Sequence, residues 1–318
     1  MEKILTGKTY KPLLIFLFLT GGFFGVFSPS ALAAAPELTL SPSYTEIVLD
    51  QTKPEASFAI ELKNNGLVHQ TFAVSVIDFG SLDESGGVAF LGAQKTSFEV
   101  KYGLASWLIL DKNFLQVAPN GSDRLNVTIT NKDSLSPGGH YAAVVLRSDS
   151  ETENNLGNIT FNYALSSLVF VKKTGGEITG LELIRPKLTP VWFSFPQKLD
   201  LQFKNTGNIH LVPRGEIVIT DPVKRLVSRG IINPESGIIL PESIRHYFVD
   251  LKSVSPSVLP GIYQVRISFR FDGQATFTDF TGSFFYLGLP FIGSLLAAVV
   301  IPIILYLFTR KRRTKPHA

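Results

Sequence analysis

The chain has 318 residues, no cysteine and a single methionine at position 1, and its formal net charge at pH 7 is +4. Without cysteine it has no disulfide, no thiol nucleophile and no thiolate metal site. The first eleven residues supply +2 and the C-terminal tail +5, which leaves −3 for the region between them. The positive charge therefore lies at the ends, and a nucleic-acid partner has no electrostatic support.

The N-terminal end has the features of a secretory signal peptide, which we assign to residues 1–33. Three lysines precede the apolar run 13–27, and Ala31-Leu32-Ala33 then offers small residues to a signal peptidase. The region that follows is expected to face the outside of the cell. It is long enough to form a stable core by burial alone.

This region contains an internal repeat. Residues 58–66 and 199–207 each alternate apolar with polar side chains and then end in Lys-Asn-x-Gly. The alternation predicts a half-buried strand, and the ending predicts a tight turn. We expect Gly66 and Gly207 to have positive φ in these turns, because Asn and Gly accept that conformation.

A second pair of landmarks lies further along each copy. Pro137-Gly138-Gly139 and Pro260-Gly261 are each followed by a tyrosine and a predicted strand, which in the second copy alternates apolar with polar residues, and each is preceded by a short alternating run, 125–130 or 247–251. Turn signals every ten or so residues and the absence of helical periodicity predict an all-β fold. We expect two tandem immunoglobulin-like β-sandwich domains, residues 34–173 and 177–283, joined near the Gly-containing segment 172–176.

The first copy carries an additional segment. From the Asn-x-Gly turn to the Pro-Gly pair it spans 71 positions, against 53 in the second copy, and residues 81–103 best account for the difference. This segment is predicted to form an added hairpin. Its aromatic side chains either cover the sandwich or form a partner-binding surface, since binding residues favour loops on a rigid scaffold. The aromatic residues concerned are Phe90, Phe98 and Tyr102.

The sequence shows no recognisable arrangement of catalytic or metal-binding residues. The histidines of the middle region, which lack a nucleophile-elbow context, are interpreted as turn or strand-surface residues: His69, His140, His210 and His246. No phosphate loop or zinc spacing occurs, and acidic residues such as Asp83 and Glu84 lie in polar loops without a calcium-loop motif. We therefore expect no enzyme activity, no cofactor and no metal. Trp107 is expected to anchor the first core.

The C-terminal end predicts a membrane anchor. Residues 284–308 carry no charge and are long enough to cross a hydrocarbon layer of about 30 Å as a helix. The basic tail, residues 309–318, is expected to stay in the cytoplasm, since positive residues flank the cytoplasmic end of membrane helices. The alternative, a buried core helix, fits poorly beside a block of charge.

In this order of parts the chain resembles the W-x-L-interacting cell-surface proteins of Gram-positive bacteria. The residues that carry the resemblance are 38–42, 58–66, 105–108, 119–121 and 137–139, which follow the pattern of strand, Asn-Gly turn and Pro-Gly-led strand. The resemblance implies a signal peptide, two immunoglobulin-like domains, one membrane helix and a short basic tail. It also implies a first domain associated with peptidoglycan and a second associated with partner proteins, without fixing any binding residue.

Two functions follow as expectations. The first is a membrane-anchored extracellular scaffold or adhesion protein that binds cell-wall polymer or another envelope protein. The alternative is a membrane-tethered envelope chaperone or accessory subunit that pairs an exposed strand edge with a client. A long unpaired edge strand favours the alternative, and a pocket of clustered histidines or carboxylates favours an envelope enzyme, the least expected class.

Overall fold

The computed structural model describes most of the chain between Glu37 and Arg313. The described ranges are 37–50, 52–53, 55–91, 101–131, 136–148, 164–184, 186–188, 191–256 and 259–313. The predicted signal peptide, residues 1–33, lies outside them, as does the end of the basic tail.

The N-terminal sandwich consists of two sheets. Its strands are β1 (Leu38–Ser41), β2 (Tyr44–Leu49), β3 (Glu55–Asn64), β4 (Gln70–Ser81), β5 (Val88–Phe90), β6 (Leu108–Leu110), β7 (Phe114–Val117), β8 (Ser122–Thr130), β9 (Gly138–Ser148) and β10 (Ala164–Lys173). One sheet has the order β1-β3-β8-β6, and the other has the order β2-β10-β9-β4-β5 with β7 also paired to β4. Strand β2 runs parallel to β10, whereas the other pairs are antiparallel.

The core of this sandwich comes from the period-2 alternation of its strands, which sends every second side chain between the sheets. The largest contributions are fully buried aliphatic and aromatic side chains: Leu49, Ile60, Leu62, Phe72, Leu104, Leu115, Leu125 and Ile129. Trp107, at the end of the 3₁₀ turn Ala105–Trp107, packs partly buried against this core. The predicted role of Trp107 as an anchor agrees with that position.

The C-terminal sandwich repeats the plan. Its strands are β11 (Leu181–Ile184), β12 (Val191–Trp192), β13 (Lys198–Asn205), β14 (Pro213–Thr220), β15 (Leu226–Ile232), β16 (Ile244–Asp250), β17 (Lys252–Ser253), β18 (Gly261–Phe271) and β19 (Thr278–Tyr286). The sheet orders are β11-β13-β16 and β12-β19-β18-β14-β15-β17. Strand β12 runs parallel to β19, as β2 does to β10. The expected all-β architecture of sandwiched sheets is thus confirmed, and the repeat extends to strand order.

The repeated turns are held by asparagine side chains. Asn64 and Asn205 are buried, and the Oδ1 atom of each accepts a hydrogen bond of 2.9 Å from the backbone N–H of the glycine two residues later. Their Nδ2 atoms donate to Val68 O and Ile209 O, both at 2.7 Å. The positive φ predicted for Gly66 and Gly207 is wrong, because neither glycine has a φ in the left-handed region. The side-chain hydrogen bonds of Asn64 and Asn205 close these turns instead.

The Pro-Gly landmarks do place glycine at positive φ. Gly138 has φ 127° and Gly261 has φ 144°, and each opens the long strand predicted to follow it. The tyrosines of these strands, Tyr141 and Tyr263, are fully buried. Glycine is required at these points because a side chain at such φ values is strained.

Helix α1 (Leu289–Arg313) follows the C-terminal sandwich. Its segment Phe291–Arg310 has a mean hydropathy of 2.6 with no part buried, so it is long and apolar enough to span a membrane. The predicted start at residue 284 is wrong: Phe284 and Tyr286 are buried in the C-terminal core as part of β19. Apolar composition continues from the strand into the helix, which hid the boundary in the sequence.

Candidate functional site

The added segment of the first copy reaches the C-terminal sandwich. Strands β4 and β5 form a hairpin at the start of the predicted segment 81–103, and its tip lies against β16, whereas residues 92–100 lie outside the described residues. The backbone N–H of His246 donates to Glu84 O at 2.7 Å, and the Glu84 carboxylate contacts His246 Nε2 at 2.8 Å. A side chain at Gly86, which has φ 89°, would overlap the guanidinium of Arg245. The hairpin thus joins two sandwiches.

A second connection lies on the same side. The Tyr102 hydroxyl donates a hydrogen bond of 2.9 Å to Glu242 Oε1, and Lys101 forms an ion pair with the same carboxylate. The hydrogen bond with Glu242 raises the pKa of Lys101 to about 12, and the hydrogen bond with Lys101 lowers the pKa of Glu242. Both members of the ion pair are largely exposed, so its net contribution to stability is small, about 0–1 kcal/mol.

Between these connections lies a buried junction cluster shared by both sandwiches. It consists of Phe79, Tyr102, Tyr141, Ala143, Val145, Phe170 and Leu240. The rings of Phe79, Tyr141 and Phe170 contact one another at centroid distances of 5.4–5.9 Å, in tilted or edge-to-face geometry. Leu240 enters from the C-terminal sandwich. The outer face of β9 and β10 is therefore a second core in addition to the inner one.

His210 completes the junction from the C-terminal side. Its ring lies 5.7 Å from Tyr141 and 5.2 Å from Phe170. Its Nδ1 contacts the Tyr141 hydroxyl at 3.3 Å, and its Nε2 contacts Glu46 Oε1 at 3.1 Å. The hydrogen bond with His210 is the main cause of the lowered pKa of Glu46, and burial raises the pKa of Tyr141.

Beside the cluster an apolar cleft of about 170 Å³ remains open between the sandwiches. Phe79, Leu168 and Phe170 line it from the N-terminal side, and Ile238 and Leu240 line it from the C-terminal side. The hairpin tip and the first residues of β16 form its ends. The volume of the cleft is comparable to that of one or two apolar side chains.

The three residues predicted to bind a partner have separate positions. Phe90 ends β5 with 45% of its surface exposed, whereas Tyr102 is 2% exposed within the junction cluster. Phe98 lies outside the described residues. Burial removes Tyr102 from direct contact with a partner, so its assignment to a binding surface is corrected: it ties the sandwiches together. Partner binding by Phe90 stays a prediction.

The histidines are only partly surface residues. His69 is exposed as expected, but His140 and His210 are 3% and 5% exposed. The surface interpretation of these two is wrong, because the junction buries the start of β9 and the turn that carries His210. Desolvation lowers the pKa of His140, whose Nε2 donates to Ser136 O at 2.8 Å. His246 lies between two carboxylates.

The carboxylates around His246 belong to different sandwiches. Its Nδ1 contacts Asp200 at 2.8 Å, and Glu84 reaches its Nε2 from the hairpin. The hydrogen bond with Asp200, supplemented by the one with Glu84, raises the pKa of His246. No group of three or more His, Asp or Glu side chains suited to a metal ion occurs in the described part of the chain. The contact between Glu84 and His246 therefore links the hairpin to the C-terminal sandwich.

The sequence analysis placed the added segment but did not predict that it packs against the C-terminal sandwich. A sign that β9 is covered on its outer face was present in residues 141–146, which are apolar without interruption. A continuous apolar run indicates a strand covered on both faces, whereas a strand with one solvent face alternates. The partners that cover the outer face, such as Leu240 and His210, are distant in sequence and carry no comparable pattern.

Comparisons with known proteins establish no family. No family model and no curated protein matches the chain. Among solved structures, a fimbrial chaperone and tip-adhesin complex is 9% identical over 78% of this chain and 99% of its own, with a TM-score of 0.43. The class 5 fimbriae chaperone CfaA is 8% identical over 77% of this chain and 98% of its own, with a TM-score of 0.43. The E. coli chaperone DraB is 12% identical over 78% of this chain and 96% of its own, with a TM-score of 0.38. Because these TM-scores lie below 0.5, the function has to follow from the residues of this chain.

Proposed function

We propose that this chain is a non-catalytic envelope protein that holds another envelope protein at the cleft between its two sandwiches. The observation that carries the proposal is the apolar lining of that cleft, with Leu168 and Phe170 facing Ile238 and Leu240. Burying one aliphatic or aromatic side chain there supplies roughly 1.5–3 kcal/mol. A protein segment presents such side chains together with a backbone that pairs at strand edges.

The lining favours a protein over a cell-wall polymer at this position. Sugar hydroxyls need hydrogen-bonding partners, and burying them against aliphatic groups without such partners is unfavourable. The cleft offers mainly hydrocarbon surface from five large side chains. An accessory or scaffold role therefore fits the cleft better than wall adhesion does.

The proposal includes the topology and domain organisation expected from the sequence. Helix α1 anchors the chain, the basic tail is cytoplasmic, and the sandwiches are two immunoglobulin-like domains outside the cell. Since β19 ends at Tyr286, the second domain extends past residue 283. Membership of the W-x-L-interacting proteins is part of the same proposal and rests on the order of parts.

The test is retention of envelope proteins on the full-length chain in detergent micelles. Leu168→Glu puts a charge into the cleft at a partly buried position, and its urea midpoint is measured beside its binding so that rejection of an apolar guest is separated from loss of the fold. Ile109→Glu is the matched control, because Ile109 is an exposed strand residue of the same sandwich outside the cleft lining. A specific partner should bind about tenfold more weakly to Leu168→Glu, which corresponds to 1.4 kcal/mol. Equal retention by both variants contradicts the proposal.

A strand-pairing role is the second candidate, and the open edge of β2 favours it. The carbonyls of Ser43, just before β2, and of Leu49, at its end, accept hydrogen bonds of 2.9 Å from the β10 side. Alternate residues such as Val48 therefore turn their backbone groups outward, and no strand pairs with that edge among the described residues. Such an edge is a template for another strand.

The same retention assay separates the two candidates. Val48→Pro removes an outward-facing N–H and blocks strand addition, while the pairing with β10 uses the alternate residues. Loss of the partner in Val48→Pro with normal binding by Leu168→Glu identifies the edge of β2 as the site. The reverse pattern identifies the cleft.

A further inference from the structure

The C-terminal sandwich ends close to helix α1. Strand β19 ends at Tyr286 and α1 begins at Leu289, so only Leu287 and Gly288 separate the sheet from the helix. Three consecutive residues span at most about 11 Å even when fully extended. The end of the sandwich that contains Tyr286 therefore stays beside the start of α1 in any orientation of the helix.

Two other segments reach this end of the sandwich. Gly261 pairs with Tyr286 in the register of β18 and β19, and an ideal Cβ on Gly261 would lie 2.7 Å from Pro222 Cγ, so the turn between β14 and β15 lies beside the end of β19. Strand β12 runs parallel to β19 up to Tyr286, so the residue that follows β12 lies at the same end. We call the exposed residues of these segments the rim: Phe193, Val223, Lys224, Ile262 and Phe285.

The rim combines exposed apolar side chains with a basic one. Ile262 lies opposite Phe285 in the register, and both are exposed. The adjacent Tyr263 and Phe284 are buried, so the exposed pair points to the outer face of the sheet. Single exposed apolar side chains are common on soluble proteins, but a group of them marks a surface for a protein or a membrane.

The turn that carries Val223 has a fixed shape. It closes around Asp221, which is 2% exposed and whose Oδ1 accepts hydrogen bonds of 3.0 and 2.8 Å from the backbone N–H groups of Val223 and Arg225. The Arg225 Nε donates to the other carboxylate oxygen at 2.7 Å. A preformed turn loses little conformational freedom when it contacts a partner, which lowers the entropic cost of that contact.

The length of the connection places the rim near the lipid. In the topology given under the proposed function, on which this inference rests, α1 spans the bilayer and the sandwich lies outside. The apolar span begins at Phe291, two residues after Leu289, which adds about 3 Å along the helix axis. The headgroup layer outside the hydrocarbon core is roughly 5–8 Å thick. The short connection therefore brings the rim within reach of the headgroups.

We propose that the rim binds the lipid headgroup layer, with its apolar side chains inserted toward the acyl chains and Lys224 directed at the lipid phosphates. Aromatic and aliphatic side chains beside a basic residue are typical of surfaces that enter the membrane interface. The connection to α1 keeps lipid at a high effective concentration beside the rim, so a protein partner has to displace it. The contact fixes the angle between the sandwich and the bilayer, which the connection alone leaves free.

The first test locates the rim by fluorescence quenching. Because the chain has no cysteine, Val223→Cys creates a unique site for an environment-sensitive fluorophore on the full-length chain in vesicles of phosphatidylcholine and phosphatidylglycerol. Ile231→Cys is the matched control, since Val223 and Ile231 are 61% and 63% exposed and Ile231 lies toward the opposite end of β15. A nitroxide attached to the lipid headgroup should quench the label at position 223 at least threefold more than the label at position 231.

A third label, Ile301→Cys in the middle of α1, separates the rim from the anchor. It is read with a nitroxide on the acyl chain. Quenching at position 301 without quenching at position 223, or equal quenching at 223 and 231, overturns the lipid contact and leaves the anchor in place. No quenching at 301 overturns the anchor and the lipid contact together. A label at 223 that is shielded from both the lipid nitroxide and aqueous iodide reassigns the rim to a protein or a second copy of the chain.

The second test asks whether the rim side chains hold the sandwich on the lipid. With the fluorophore on Ile262→Cys, the pair Phe193→Ser and Val223→Ser should lower quenching by the headgroup nitroxide at least twofold. The control pair, Phe277→Ser and Ile231→Ser, also changes one exposed phenylalanine and one exposed aliphatic residue, and it should leave the quenching unchanged. Equal quenching in the parent and both pairs shows that the connection alone brings lipid near, which overturns binding by the rim. These residues lie outside the cleft lining, so retention of an envelope protein tests the cleft independently.

Discussion

Two glycines at equivalent turn positions are required to different degrees. An ideal Cβ on Gly207 would lie 2.2 Å from the carbonyl oxygen of Ile178, a backbone atom that has little freedom to move. The corresponding Cβ on Gly66 meets its nearest atom, Asn64 Oδ1, at 3.1 Å. Close approach of a neighbouring chain segment, and not the sign of φ, therefore decides which glycine is essential.

Substitution by alanine should separate the two positions. Gly207→Ala is expected to lower the free energy of unfolding by about 1–3 kcal/mol, the range for a side chain forced into packed structure. Gly66→Ala should cost less than about 1 kcal/mol, because only a short shift is needed. Urea unfolding of both variants measures the difference. Equal losses at the two positions would show that the turn, and not the contact with Ile178, sets the requirement.

The pH dependence of stability should contain two histidine contributions of opposite sign. His140 has a lowered pKa, so the unfolded state binds the proton more readily and stability falls as the pH drops through the unfolded pKa of about 6.5. His246 has a raised pKa, so its stabilising contribution is full below about 6.5 and is lost as the pH rises through the folded pKa.

Urea midpoints between pH 5 and pH 9 test this assignment. His140→Gln should reduce the loss of stability on the acid side, whereas His246→Gln should remove a stabilisation that the parent has at pH 6 and lacks at pH 9. Only the change with pH is compared, because each substitution also alters packing. If the urea midpoints of the parent and both variants change with pH in the same way, these histidines are not the source of the pH dependence of stability.

At the scale of elements, the period-2 pattern predicted the strands of both sandwiches because their inner faces are apolar and their outer faces mostly polar. The pattern failed at the junction, where β9 is covered on both faces and the covering residues come from loops of the other sandwich. It also failed at Phe284, where a buried strand and an apolar helix follow one another. The candidate cleft depends on long-range contacts of Leu168 and Leu240, which a local pattern does not contain.

The junction should depend on apolar packing more than on its ion pairs. Leu240→Ala removes a buried side chain from the junction cluster and is expected to cost about 2–5 kcal/mol. Glu242→Gln removes an exposed ion pair but retains an acceptor for Tyr102, so it should cost less than about 1 kcal/mol. Urea unfolding in low and high salt measures both. A larger loss in Glu242→Gln would make electrostatic pairing the main link.

For the whole molecule, these contacts make the two sandwiches act together. Residues Glu37–Ala318 form one compact unit, in which the hairpin tip, the junction cluster and the His210–Glu46 contact all cross from one sandwich to the other. A cleft bordered by so many contacts keeps its shape before a partner arrives, which lowers the entropic cost of binding. An anchored, preformed cleft is the basis of the proposed function.

The most direct measurement of this claim is site-specific photo-crosslinking in intact envelopes. A photoreactive phenylalanine analogue at position 168 of the full-length chain places the reactive group in the cleft, and the same analogue at position 109 serves as the reference. The account predicts a discrete crosslinked protein from position 168 that is absent from position 109 and disappears when Ile238→Glu is added, because Ile238 lines the cleft and is only partly buried. Identical products from both positions, or products from position 109 alone, would contradict it.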